Sequence, residues 1–433
     1  MPAWKNKTAA ARASLALAAA AIVNMLLAAG LRSITLLGLG LLALGVTVAS
    51  LWWVLSRRGV LRVLAAVLAV AAPVAVLVHY AALGLLWAVL LSLALWIPAG
   101  FAGRSALRLD SPAAPRAEVS TAPPRRPFLI MNPRSGGGKV ERFDLLKKAE
   151  ALGAEVVLLD PAHPQDVAEL ARRAVAGGAD LIGVAGGDGT QALVAGVAAR
   201  HDVPFMVISA GTRNHFAMDL GLDRDDPSTC LDALTDGVEI RVDLGLVGDR
   251  VFVNNASFGA YAAVVQSPEY RDDKVGTTLR VLPDLLTRHT GPRLTVRAGD
   301  AVLDGPQAVL VSNNPYQGGD PAGLGRRERL DTGTLGILGV KVDNAAQAAG
   351  MLRGSHGAGL TARAAAEAVI DADAAEIPVG VDGESLLLKV PVVCRIQPAA
   401  LRVRVPRHRR AAPPSKPPLD WRRLRKLALG GGR

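Results

Sequence analysis

Cysteine is scarce. Cys230 and Cys394 are the only two in 433 residues. Two are too few for a disulfide framework or a zinc-binding spacing, and a reducing compartment is the default. Acidic residues are scarce at both ends. Residues 1–126 hold twelve Lys/Arg against two Asp/Glu, and residues 406–433 hold nine against one, so the middle carries net −7 although the whole chain is +11. Basicity confined to the flanks argues against a nucleic-acid-binding core, and no nucleic acid is expected as a partner. Basic flanks around an acidic globule suit a protein held at an anionic membrane face, with phospholipid headgroups as partners. His289 and His356 lack partners at ligand spacing, so no metal is assigned to them.

The first hundred residues do have apolar length. Half of the chain is apolar and its mean hydropathy is +0.29, and the excess lies there. Ala13–Leu31, Ile34–Leu55, Val60–Tyr80 and Gly84–Phe101 each approach the ~20 residues that span a bilayer. Lys5, Lys7 and Arg12 precede the first stretch, Arg57 and Arg58 follow the second, and Arg104 and Arg108 follow the fourth. Four spans put all of these on one side, and their charge marks that side as cytoplasmic. The expectation is a multi-pass protein of the cell (plasma) membrane, with about four transmembrane helices in residues 1–104 and a cytoplasmic remainder. Three or five spans, or a first stretch removed as a signal peptide, are the alternatives. Residues 105–126 are Pro-, Ala-, Ser- and Arg-rich without apolar periodicity and read as a flexible linker.

Three strand–loop–helix units follow. Leu181–Ala185 reads as a buried strand, Gly186-Gly187-Asp188-Gly189-Thr190 as a turn, and Gln191–Ala195 as a helix. Glycines let a backbone approach a ligand closely, and unpaired amides at a helix start face an anion. Asp188 adds negative charge beside a phosphate, which suits a residue that manages a proton, a metal or a hydroxyl; a plain turn with Asp188 as helix cap is the simpler alternative. Upstream, Pro127–Pro133 runs into Arg134-Ser135-Gly136-Gly137-Gly138-Lys139 and a helix over Val140–Leu152. The GK[ST] ending of a Walker loop is missing. Ser135, the glycines and Lys139 still offer a hydroxyl, amides and a cation to a polyphosphate. Downstream, the strand Pro204–Ser209 ends in Ala210-Gly211-Thr212-Arg213-Asn214-His215. Strands alternating with helices describe a parallel α/β sheet whose loops share one edge. From Glu239 the texture becomes short alternating runs: Glu239–Val247, Arg250–Val253, Arg293–Ala298, Gln307–Ser312, Leu335–Val340 and Glu376–Val381. They predict a mostly antiparallel second lobe with helical inserts near Thr278–His289 and Ala345–Arg353.

Asn132-Pro133 with Ser135-Gly136, then Gly186–Thr190, then Gly211-Thr212-Arg213-Asn214, resemble in that order the diacylglycerol kinase catalytic domain shared with sphingosine, ceramide and bacterial lipid kinases. The likeness spans roughly residues 127–405. It implies an α/β N-terminal lobe with a parallel sheet of the NAD kinase/diacylglycerol kinase kind, a β-rich C-terminal lobe, and an α-helical transmembrane segment ahead of both. The domains are then 1–104 membrane segment, 105–126 linker, 127–237 ATP-binding lobe, 238–405 substrate lobe and 406–433 basic tail. It also implies ATP and Mg2+ as cofactors, a lipid substrate in the membrane, and last strands that return to the first lobe.

Carried over by position, Asn132, Ser135 and Gly136 match the first nucleotide loop, to which the reading of the loop itself adds Gly137 and Lys139; Gly186, Gly187, Asp188, Gly189 and Thr190 match the second, and Gly211, Thr212 and Asn214 the third. Ser209 stands where relatives have Pro, and His215 where they have Asp, a role that Asp219 could take over. Asp382-Gly383-Glu384 resembles the family's Asp-Gly-Glu near the active site, and Asp331-Thr332-Gly333 an Asp-rich turn that holds a structural Mg2+, with Thr332 breaking the acidic pair. Ser257-Phe258-Gly259 resembles a stretch that shapes the lipid site.

Phosphoryl transfer needs charge neutralisation, in-line placement and a base for the hydroxyl proton. Loop amides with Lys139 or Arg213 serve the first need. Asp382, Glu384 and Asp188 are the candidate catalytic acids, with Asp382 and Glu384 jointly favoured as the base because residues two apart on an extended segment face one way. Asp382-Gly383 is also a hairpin-turn signal. In the tail, Trp421–Leu429 reads as a basic amphipathic helix lying on anionic headgroups. The expected function is a membrane-anchored lipid kinase, most naturally making phosphatidate from diacylglycerol. A NAD kinase-like or other lipid kinase, and a non-catalytic lipid-binding protein with a degenerate kinase lobe, are the rivals. The sequence leaves open whether the protein is a homodimer.

Overall fold

The computed structural model describes residues 6–30, 33–57, 59–110, 117–160, 162–163, 165–259, 262, 291–316, 326–341, 360–409 and 419–430. They form two compact units.

The first unit begins with α1 (Lys7–Ala29), α2 (Ser33–Ser56), α3 (Val60–Ala82) and α4 (Leu86–Asp110). All four helices are long and apolar enough to cross a membrane. Small residues let backbones approach closely without a hydrophobic driving force, and the α1–α4 contact is built from them. Ala10, Ala11, Ala18 and Ala21 of α1 are buried, as are Ala88, Ala99, Ala102 and Ala106 of α4. Polar side chains pin this contact. Ser14 Oγ donates to Ala99 O at 2.8 Å, and Asn24 Nδ2 donates to Ala88 O at 2.8 Å and Ser92 Oγ at 2.9 Å. Tyr80 Oη donates to Leu36 O at 2.9 Å, joining α3 to α2. The large apolar side chains, such as Leu27, Leu37, Val70 and Ile97, point outward.

The C-terminal helix Trp421–Ala428 belongs to this unit. Asp420 caps it, accepting from the amides of Arg422 and Arg423 at 3.0 Å. Its apolar face, Leu424, Leu427 and Ala428, packs on Ala10, Ala11, Ala106 and Leu107 of α1 and α4. Arg12 Nε donates to Ala428 O at 2.8 Å, Trp421 meets Trp96 edge-on at 5.8 Å, and Lys7 and Arg423 share Asp110. The apolar face expected to enter the headgroup layer is therefore covered by protein, while Arg422, Arg425 and Lys426 stay exposed.

In the second unit the strands and helices are β1 (Val119–Ser120), β2 (Pro127–Met131), α5 (Lys139–Arg142), α6 (Leu145–Ala151), β3 (Glu155–Leu158), α7 (Val167–Ala176), β4 (Leu181–Ala185), α8 (Asp188–Arg200), β5 (Phe205–Ile208) and α9 (His215–Asp219). There follow β6 (Gly237–Val247), β7 (Arg250–Phe252), β8 (Asn255–Gly259), β9 (Leu294–Ala298), β10 (Ala301–Asp304), β11 (Ala308–Asn313), β12 (Leu335–Val340), β13 (Leu360–Ala365), β14 (Glu367–Ala372), β15 (Glu376–Val381), β16 (Glu384–Lys389) and β17 (Val392–Pro406). Strands β5-β4-β2-β3 are parallel neighbours, as the alternating pattern predicts. The sheet they belong to is mixed rather than parallel, because β17 joins it to an antiparallel half. On one edge its first part pairs with β14 and its Val403–Arg404 end pairs in parallel with β5, while β6 runs antiparallel along the other edge on both sides of a register shift between Gln397 and Leu401. The last strand thus returns to the first lobe, as the resemblance implied. A second sheet runs β13-β12-β11-β8-β15-β16. One apolar core fills the space between the parallel strands and their helices, around Leu129, Val184, Phe205 and Phe216. Another lies between the two sheets, around Phe252, Phe258, Val309 and Ile370.

Local differences have local causes. The helix expected over Val140–Leu152 breaks at Phe143–Asp144, where Asp144 takes φ 52°, into α5 and α6. The presumed linker starts inside α4, and Val119–Ser120 pairs with Glu239 and Val238 of β6. Arg407 and Arg409 of the tail are tied to Asp236 and Glu118 and belong to the second unit. Both expected helical inserts, with His289 and His356, lie outside the described residues.

Leu424→Ala removes a fully buried side chain of the C-terminal helix, a loss of roughly 2–5 kcal/mol on a helix too short to persist alone. The helix should undock, and limited trypsin digestion in detergent should cut at Arg422–Lys426 well before wild type is cut. Equal cutting rates would contradict the docking.

Candidate active site

Loops that leave adjacent parallel strands at their carboxyl ends lie side by side. Asn132–Gly138 follows β2, Gly186–Gly187 follows β4, and Ser209–Asn214 follows β5. Their contacts require glycine. Gly136 has φ +56°, and a Cβ there would strike the carbonyl oxygen of Ala210. A Cβ on Gly211 would lie 2.9 Å from Gly186 O and 3.0 Å from Gly187 Cα. Asn132 N donates to Ala185 O at 2.9 Å, closing the first loop against the second. The three sequence-predicted loops therefore meet. Ser135 and Gly137 lie in the first turn, whose Ser135 O accepts from Gly138 N and Lys139 N at 3.2 Å.

Several side chains look into this junction. Gly187 occupies the cap of α8, so Asp188 is the first helical residue rather than the cap. Asp188 Oδ1 and Asn214 Oδ1 are buried without a hydrogen-bond partner among the described residues. Asn214 holds φ 54° because its Nδ2 donates to Ser209 O at 2.9 Å and Gly211 O at 2.6 Å. Thr190 packs under Gly186, and Thr212 O accepts from Arg224 at 3.2 Å. Lys139 Nζ donates to Arg224 O at 2.7 Å and Ser209 O at 3.4 Å. Burial, then the charges of Arg224 and Arg142, lower its pKa. Burial also lowers His215, against the pull of Asp188.

The β-rich half contributes the hairpin β15–β16. Asp382 and Gly383 form its two-residue turn with φ 47° and 89°, the left-handed pair that matches strand twist. Asp382 is not free to share a face with Glu384. Its carboxylate accepts from the amides of Val253 at 2.7 Å, Asn254 at 2.9 Å and Asn255 at 3.0 Å. Burial pushes Asp382 up to about 7, with the negative charge of Asp188 adding to it and the three amides opposing. Glu384 points elsewhere. A Cβ on Gly189 would lie 2.7 Å from Glu384 Oε1, so this carboxylate rests on the first turn of α8. Arg250 is its ion partner. Arg250 also borders an open, mainly apolar groove of about 690 Å³ with Leu193, Val251, Leu386 and Val392.

The junction has what a divalent ion and a nucleotide would use: three glycine-bearing strand-end loops in close approach, and buried oxygens of Asp188 and Asn214 without a partner among the described residues. The Asp331 turn does not fit a metal. Asp331 Oδ1 and Oδ2 each accept from Arg329 at 2.9 Å, Thr332 donates to Asn314, and both oxygens of the neighbouring Asp243 accept backbone amides. Among the described residues no three His, Cys, Asp or Glu converge on a metal position. Ser257-Phe258-Gly259 forms β8 between β11 and β15.

Sequence reasoning missed Arg250 and Arg327. Arg327 is fully buried and paired with Asp219 at 2.7 Å, and its guanidinium reaches the carbonyl of Val253 and the side chain of Asn254. No periodicity or motif marks either arginine, because each acts through a partner distant in sequence.

Residues 126–247 match the diacylglycerol kinase catalytic domain. The chain is 33% identical over 122 residues to a diacylglycerol kinase of Mycobacterium tuberculosis, covering 28% of this chain and 40% of that one. It is 35% identical over 139 residues to a diacylglycerol kinase of Bacillus subtilis, covering 31% and 46%. The matched stretch thus spans less than half the length of these curated relatives. A crystal structure of a candidate diacylglycerol kinase from Bacillus anthracis aligns over 98% of its length with 65% of this chain, at TM-score 0.50 and 20% identity, a likeness of fold. The resemblance read from the three loops is thereby shown, as is the pairing of an α/β lobe with a β-rich region.

A carboxyl whose pKa is raised in the fold keeps a proton that the unfolded chain has lost. Asp382 thus favours the fold below the ordinary carboxylate range, and that gain is lost as pH rises through about 7. Asp382→Asn should lose less stability than wild type between about pH 5 and about pH 8. Melting both proteins at each pH checks this; a difference that is constant, or moves in favour of wild type, contradicts it.

Proposed function

We propose that this protein is a membrane-anchored, ATP-dependent lipid kinase that phosphorylates the hydroxyl of diacylglycerol to give phosphatidate. The observation that carries the reading is the meeting of three glycine-bearing strand-end loops with Asp188 and Glu384, one acid from each half of the second unit. Nucleotide phosphates lie over the loop amides around Gly136, Gly186, Gly187 and Gly211, with Lys139 and Asn214 at their edge. A divalent ion, naturally Mg2+, bound with the nucleotide neutralises phosphate charge, and Asp188 is the residue that would hold it.

Glu384 takes the hydroxyl proton. The alkoxide oxygen forms a bond to the γ-phosphorus as the bond from that phosphorus to the β,γ-bridging oxygen breaks, and ADP leaves with the bridging oxygen. Asp382 fixes the hairpin that presents Glu384, a positioning role rather than a share in proton transfer. Arg250 orients the Glu384 carboxylate. The groove beside Arg250 takes the acyl portion of the lipid, because its walls are mainly apolar and it begins at the partner of the base. The apolar helices hold the kinase unit at the cytoplasmic face of the cell membrane, where a substrate confined to the bilayer is at high effective concentration. Arg422, Arg425 and Lys426 add contact with anionic headgroups.

Radiolabelled ATP with mixed lipid extract should yield one labelled acidic lipid. Labelled dinucleotide, or no product, overturns the proposal. Asp188→Asn should lower kcat by at least about 10²-fold and Glu384→Gln by roughly 10²–10⁴-fold. Leu193→Asp should raise KM for the lipid while leaving KM for ATP within about twofold. Equal effects on both would remove the groove from the substrate site.

A further inference from the structure

The resemblance implies a structural metal at the Asp331 turn, whose carboxylate is instead taken by Arg329, and a buried positive charge sits nearby in the chain. Arg327 and Asp219 are 0% and 3% exposed. Arg327 Nε donates to Asp219 Oδ2 at 2.7 Å, and Arg327 N donates to Asp219 Oδ1 at 3.1 Å. Nη1 donates to Val253 O at 2.6 Å and Asn313 O at 2.7 Å, and Nη2 donates to Asn254 Oδ1 at 2.7 Å. The Tyr316 ring lies 5.8 Å from the guanidinium carbon. Oxygens from three separate segments thus converge on one cation: α9, the β7–β8 connection and the end of β11.

We propose that Arg327 is the structural cation of this protein. Its guanidinium does by covalent attachment what a bound divalent ion would do, clamping α9 of the third loop to the 253–254 turn. That turn's amides hold Asp382, so the clamp connects the two halves of the proposed site. A carboxylate, an amide oxygen and two peptide carbonyls are the ligands a hard cation takes, and here a tethered one occupies them permanently. The inference concerns the fold and stands or falls apart from the reading of the activity.

The test is made on the full chain in detergent without nucleotide. Wild-type Tm should be the same within about 1 °C in EDTA and in millimolar Mg2+ or Ca2+, since a ligand stabilises only by binding the native state. Arg327→Ala removes the buried counter-charge of the Asp219 carboxylate, and its Tm should fall by about 10 °C. Because the freed oxygens can accept a small ion, Ca2+ should restore part of that loss in Arg327→Ala but none of it in the Arg327→Ala/Asp219→Ala double variant. If Arg327→Ala does not fold, Arg327→Lys keeps the charge and should melt between wild type and Asp219→Asn. The proposal is overturned if EDTA lowers the wild-type Tm, if Arg327→Ala melts like wild type, if Ca2+ fails to raise its Tm, or if Arg327→Lys melts no higher than Asp219→Asn.

Discussion

Three amide hydrogens, from Val253, Asn254 and Asn255, converge on the Asp382 carboxylate. That one interaction fixes the hairpin β15–β16 against the β7–β8 connection, and with it the place of Glu384. A side chain that begins β16 can lie on the first turn of α8 only if the turn before it is held. The hold is costly to form, because a carboxyl loses water there and feels Asp188 as well. Such arrangements persist where the geometry they impose is used. On the other side of the same turn, the Val253 carbonyl and Asn254 side chain are taken by Arg327, so the peptide units are gripped from both faces.

Glycine does the corresponding work in the α/β half. The loops after β2, β4 and β5 touch because Gly136 and Gly211 carry no side chain, and Gly189 leaves the space that Glu384 fills. The result is three strand-end loops in close approach, with an acid from each half of the unit at α8. Little of this depends on strong individual bonds; it depends on backbone approaching backbone, which a single methyl group would prevent.

The α/β order, the three loops and the four apolar helices were legible because each is written locally: periodicity, glycine punctuation and uninterrupted apolar length. Asp382-Gly383 could be read at once as a turn and as a site; the structure shows the turn, with Asp382 held by three amides. The mixed sheet was less legible. β17 is one strand of 15 residues that keeps β6 along one edge and passes from β14 to β5 along the other, and pairing over such distances leaves no periodic trace in sequence. The C-terminal helix was found from its amphipathic pattern, but a pattern states that a face is apolar and not what covers it; here alanines of α1 and α4 do. Arg327 carried no signal, since a buried arginine and a surface arginine look alike until their partners are known.

The central claim is that Asp188 and Glu384, contributed by opposite halves of the unit, act on one reacting centre. A double-mutant cycle on kcat/KM with Asp188→Asn and Glu384→Gln measures that most directly, because residues acting as a unit are strongly non-additive whereas independent ones add. The account predicts that the double variant is slower than the more damaged single variant by no more than about tenfold. A double variant whose loss equals the product of the two single losses would contradict it.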